Sequence, residues 1–132
     1  MHPDTFIEVA EDCPAVNAEV PPARAGRATK AAIEYELLAG EPYGLTEDDV
    51  AFRTRVAMRE IPEAEWPAER ERFLSQAKPR LQVSALAKRY GWGIHVDSHG
   101  RVALVPVESA EYQRLAADPA LRHVRAFRSK RA

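Results

Sequence analysis

The sequence predicts a single α+β domain over residues 1–132, in which a small antiparallel sheet, formed by an N-terminal strand and a C-terminal hairpin, packs against several helices with one layer of each. Three observations carry this prediction. Residues 90–107 alternate with the period of a strand on both sides of Asp97-Ser98-His99-Gly100, residues 5–10 alternate more briefly, and the stretch between them is punctuated by helix caps and stops. A chain of 132 residues is the usual size of one domain, and 45% hydrophobic with 30% charged residues is the balance of a packed chain, not a disordered one. Residues 1–4 and 129–132 are expected to fray.

Thr5-Phe6-Ile7-Glu8-Val9-Ala10 reads as an inner strand with Phe6 and Ala10 on one face and Ile7 and Val9 on the other, stopped by Glu11-Asp12-Cys13-Pro14. A loop leads to Pro21-Pro22. The first helix is expected from about 26 to 39, with Ala28, Ala31, Tyr35 and Leu38 at helical spacing and Ile33 and Leu37 widening the stripe; Gly40 and Pro42 stop it, glycine by taking the left-handed cap conformation. Thr46 marks the next start, where it can cap the Asp49 amide, Glu47, Asp48 and Asp49 meet the positive end of the helix dipole, and Leu45 can staple onto Val50. That helix should reach Glu60, yet Val50, Phe52, Val56, Ala57 and Ile61 do not form one stripe.

Trp66-Pro67 offers proline at the first helical position, and a third helix to about Lys78 follows, ended by Pro79. Phe73, Leu74 and Ala77 should face inward, with Glu65, Glu69, Glu71, Arg70 and Arg72 on a charged outer face. Residues 80–90 fit either a short strand through Leu81 and Val83 or a helical turn carrying Leu86 inward. In the hairpin, Gly100 in the left-handed position pairs Val96 with Val102, Ile94 with Leu104 and Trp92 with Pro106, which puts the apolar residues on one face and Gly93, His95 and Asp97 on the other, Asp97 opposite Arg101 as a charge pair. Ser109 then caps a helix to about Ala117, and Asp118-Pro119 predicts a second short helix.

Three passages resemble one family when taken together: Thr5 to Pro14; Pro42-Tyr43 with Thr46-Glu47-Asp48-Asp49-Val50; and Lys88-Arg89-Tyr90-Gly91-Trp92-Gly93-Ile94-His95 followed by Gly100-Arg101-Val102-Ala103-Leu104. The chain resembles a microbial family of unknown function, domain of unknown function family 6157, over nearly its whole length. That resemblance implies a stand-alone single domain and brings no activity, cofactor or partner.

The single cysteine, Cys13, excludes an internal disulfide and a thiol-built zinc site, and points to a reducing, cytoplasmic compartment in a bacterial-type protein. The N-terminus shows no secretion signal, and no apolar run approaches a membrane span. Residues 1–23 carry Asp4, Glu8, Glu11, Asp12 and Glu19 without a lysine or arginine, whereas the tail carries Arg122, Arg125, Arg128, Lys130 and Arg131, so the two ends should attract.

The leading expectation is a non-enzymatic or ligand-binding protein with a concave polar site near Gly93, His95 and Asp97, to which Asp12, Tyr90 and Trp92 add candidate contacts for a small molecule. A cysteine-dependent enzyme or redox protein pairing Cys13 with His95 is the alternative, although Asp12 would raise the thiol pKa and oppose activation. Three helices and a hairpin also suggest a winged-helix nucleic-acid binder, against which stands the balanced charge of the third helix. No metal ligand set, cofactor motif or phosphate-cradling loop is present in the sequence, and a homodimer is left open.

Overall fold

The computed structural model describes residues 3–23, 28–76 and 80–129. Its α+β architecture is the one the sequence predicts, with a larger sheet: five strands in the order β2-β4-β3-β1-β5. They are β1 (Thr5–Glu8), β2 (Leu45–Thr46), β3 (Trp92–Val96), β4 (Arg101–Pro106) and β5 (Arg122–Arg125). The β3–β4 hairpin has the expected register, Trp92 with Pro106, Ile94 with Leu104 and Val96 with Val102, and Gly100 adopts φ +77°. β1 is an inner strand, antiparallel to β3 and parallel to β5. The hairpin therefore lies inside the sheet, flanked by β1 and β2, and is not a free wing.

The helices are α1 (Lys30–Gly40), α2 (Glu47–Arg59), α3 (Trp66–Leu74), α4 (Ala85–Lys88) and α5 (Ala110–Ala116). One face of the sheet, with Ile7, Ile94, Val96 and Val102, joins Ala31 and Leu38 of α1, Val50 of α2 and Leu86 of α4 in the main core. The other face carries a smaller core in which Phe6 and Val105 meet Tyr112 and Leu115 of α5. Both faces are thus partly covered, because Phe6, Gly93, Ala103 and Val105 on the side opposite the main core are themselves small or apolar.

Several expectations need correction. Ala10 joins Ile7 in the main core while Val9 packs with Phe6, because β1 ends at Glu8 and the Ala10 amide bonds to the Ala87 carbonyl, which breaks the alternation. α1 begins after the Thr29 cap, later than expected, and Gly40 stays helical; the Glu41 amide closes the helix on Leu37 without a left-handed glycine. Thr46 and Asp49 form the full capping box of α2, and Glu60 in the left-handed conformation ends it.

α3 is preceded by a 3-10 turn at Glu63–Glu65, and none of its residues is fully buried. Glu69 and Arg70 turn toward α2 and leave the outer face, meeting Arg55 and Asp49; Ala77, Lys78 and Pro79 lie outside the described residues. Residues 80–90 resolve to the helical turn, capped by Ser84, with Leu86 fully buried. Among the described residues no helix follows Asp118-Pro119. Asp118 instead accepts from the Ala120 amide in a turn, and the chain enters β5 because β1 offers an open edge there. The two ends do attract, Glu11 to Arg128 at 2.7 Å. The Asp4 amide bonds to the Asp97 carbonyl and the Ser129 amide to the Asp12 carboxylate, while residues 1, 2 and 130–132 lie outside the described residues.

Candidate functional site

Strand alternation disperses the residues that the sequence groups at the hairpin. His95 and Asp97 share the α5 side of the sheet, but Trp92 points to the other side, where its ring tilts against Tyr35 and its indole donates to the Glu19 carbonyl at 2.8 Å. Tyr90 holds the same loop, its carbonyl accepting from the Glu19 amide. Asp12 is occupied with the Ser129 amide. Gly93 is closed: a β-carbon there would stand 2.7 Å from Tyr112 Cε2 and 2.9 Å from Phe6 Cζ. The concave site expected at Gly93 is therefore filled by two rings that pack edge to face at 5.0 Å.

His95 and Cys13 are not brought together. His95 pairs with Phe6 near the start of β1, Val9 lies roughly 10 Å further along at ~3.3 Å per residue, and Cys13 follows the turn beyond it, packed against the main core. His95 has a different partner, the Tyr43 hydroxyl at 2.8 Å from Nδ1, with the two rings edge to face at 5.6 Å. Burial lowers the His95 pKa below its ordinary 6.5 despite the nearby Asp97, so the imidazole is neutral at pH 7. Burial also raises the Tyr43 pKa, which keeps the phenol protonated. Asp97 does not pair with the Arg101 guanidinium; its Oδ1 accepts from the His99 and Arg101 amides and shapes the turn, and the Arg101 side chain reaches the Gly44 carbonyl.

Two concave surfaces among the described residues lie instead on the flanks of α2. Sequence periodicity gave that helix no single face because it serves two: Val50 and Thr54 turn to the core, and Phe52 turns to α3. Phe52 is only 4% exposed, and Trp66, at 38%, stands edge-on to it at 6.5 Å. Together with Val56, Ala57 and Pro67 they line a groove of about 790 Å³. Its rim is charged by Arg53, which faces Glu41 at 3.6 Å, and by Arg70, which lies over the Phe52 ring at 5.4 Å and bonds Asp49 at 3.0 Å. Asp49 is spent twice, on Arg70 and on the Thr46 amide, and these bonds hold its pKa low although desolvation, the largest single influence, works the other way.

On the opposite flank a smaller cleft, about 360 Å³, includes Glu34, Arg55, Arg59 and Arg80 in its lining. Glu34 is 3% exposed, its pKa raised by burial against the lowering effect of the Ser84 hydroxyl, which donates to Oε1 at 2.8 Å. No signal in the sequence marked it, since glutamate in a helix reads as solvent-facing. Among the described residues no group of three His, Cys, Asp or Glu side chains is placed to hold a metal ion, and no helix is long and apolar enough to cross a membrane.

An α+β domain with two clefts astride one helix is the class that this geometry defines. The chain belongs to a family of unknown function, DUF6157, whose model matches residues 1–132. No curated protein matches it, and no solved structure does.

Proposed function

We propose that this protein is a small-molecule-binding domain whose ligand lays an apolar body in the groove between α2 and α3. The observation that supports this is the groove itself: Phe52 at its floor and the partly exposed Trp66 at its wall give an apolar cleft open to solvent. Burying apolar ligand surface there releases about 25 cal/mol per Å², and a few charged groups at a mostly apolar cleft are the usual means of orienting a ligand. The reading includes a cytoplasmic, bacterial setting; the lone Cys13 speaks for a reducing compartment.

The test is a titration with 8-anilinonaphthalene-1-sulfonate, followed by the probe's own fluorescence on direct excitation. Saturable one-to-one binding that Trp66→Ala and Val56→Asp abolish, with the circular dichroism unchanged, is the expected result. Binding that survives both substitutions, or a chain that is dimeric and becomes monomeric when Trp66 is replaced, overturns the reading.

A second reading keeps a polar ligand at His95. It is favoured by two non-glycine residues held in the left-handed region beside that site, Asp4 at φ 51° and Tyr43 at φ 58°, a conformation that costs of order 1–3 kcal/mol each and concentrates at functional positions. Its check is the ring-proton spectrum of His95 during addition of small carboxylates, which must shift in the wild type and stay still in Tyr43→Phe.

A further inference from the structure

The smaller cleft on the other flank of α2 stands apart from the groove and has its own chemistry. Glu34 comes to it from the middle of α1, and the Ser84 hydroxyl that donates to Oε1 also accepts from the Leu86 amide at 3.2 Å, so the serine proton is committed to the glutamate. Among the described residues the second carboxyl oxygen of Glu34 has no hydrogen-bond partner. That oxygen is not a buried orphan and so meets the cleft, where a ligand donor can take the place of water.

Four cations line the same cleft, and they are not equally engaged. Arg80 is fully used: it donates to the carbonyls of Phe73 at 3.2 Å and Gln76 at 3.0 Å, faces Asp48 at 3.3 Å and stacks on Phe73 at 4.1 Å. Arg55 is engaged only in part: it faces Glu69 Oε2 at 3.6 Å and lies over the Phe73 ring at 5.3 Å, while its buried Nε makes no hydrogen bond. Lys30 and Arg59 form no ion pair with a described acid, although Lys30 lies close enough to Glu34 to favour its charged form. Met58, Phe73, Leu81 and Val83 complete the walls with apolar surface.

A plain anion would satisfy the arginines but set a negative charge against Glu34, and a plain cation would satisfy Glu34 against the repulsion of several positive groups. A ligand with both charges close together meets each at once, and an apolar substituent then has somewhere to lie. We propose that this cleft binds a small zwitterion, a free α-amino acid with an apolar side chain, whose ammonium bonds Glu34 and whose carboxylate meets Arg55 and Arg59. The match of an arginine fork to a carboxylate favours that end for the two guanidinium groups.

Calorimetric titration of the full chain with L-leucine and L-phenylalanine tests it, beside N-acetyl-L-leucine, which lacks the ammonium, and L-leucinamide, which lacks the carboxylate. At least one free amino acid is expected to bind one-to-one at millimolar concentration or better. Acetylation or amidation should each weaken leucine binding by about tenfold or more. Glu34→Gln should remove the preference for leucine over its acetyl form, and Arg59→Gln, at an exposed position that leaves folding intact should Glu34→Gln fail to fold, should weaken leucine while sparing leucinamide. Absence of heat with both amino acids, equal affinity for the free and blocked forms, or indifference to Arg59→Gln would overturn the proposal.

Discussion

At the hairpin, the space in front of Gly93 cannot admit a methyl group; across the molecule, α3 has no fully buried residue and leaves a groove at its junction with α2. The first region combines adjacent strands, a glycine turn and a helix laid flat on the sheet, so each side chain meets neighbours on several sides. The second rests on Phe52 and Phe73, three arginines stacked on those rings, and ion pairs in partial contact with water. Interiors closed on all sides resist change, whereas a helix held by rings and charges can exchange some of those contacts for a ligand. On the proposed reading, stability and binding fall to different parts of one small chain.

The comparison is broken most easily by substitutions with unequal expected costs. Phe6→Ala should cost about 3–5 kcal/mol by denaturant unfolding, the range for removing a buried ring. Gly93→Ala should cost about 2 kcal/mol through overpacking against Tyr112 and Phe6. Trp66→Ala, despite the size of the ring, should cost only about 1 kcal/mol, since it loses one edge-to-face contact and its bond to the Ile61 carbonyl. A cost for Trp66→Ala equal to that of Phe6→Ala would erase the distinction between the regions.

The smallest effect is in the pH dependence. Burial raises the pKa of Glu34, and also that of Glu47, above the ordinary 4.5, so the folded state holds protons that the unfolded state releases. Their stabilising contribution is complete below 4.5 and is lost as pH rises through the raised folded values. His95 works in the other direction, its contribution complete above 6.5 and lost as pH falls through its lowered folded value. Glu34→Gln should therefore gain stability relative to wild type as pH rises from about 5 to 7.5, measured by urea midpoints; a relative loss over that range would reverse the assignment.

The same contrast explains what the sequence discloses. The hairpin register follows from strict alternation and one glycine turn, both local. β2 is two residues long, and β5 reads Arg122-His123-Val124-Arg125, with one apolar residue; each exists because a neighbouring strand has a free edge, which is information from elsewhere in the chain. Of the expected site, the alternation correctly puts His95 and Asp97 on one side, but the rings of Phe6 and Tyr112 that fill Gly93 come from remote positions. The groove was not legible because its walls belong to two helices whose crossing no local pattern specifies, although the apolar residues of α2 that fit no single stripe were its trace. Glu34 was hidden for the opposite reason, a charged residue in a slot that apolar patterning assigns to solvent.

A ¹H–¹⁵N correlation map recorded while the anilinonaphthalene probe is added tests the proposed groove most directly. Shifts confined to the amides of Phe52, Arg53, Val56 and Ala57 and the indole of Trp66, with residues 93–105 unmoved, are what the two-region account predicts. Shifts centred on the strands around His95, with the α2 and α3 signals unchanged, would contradict it.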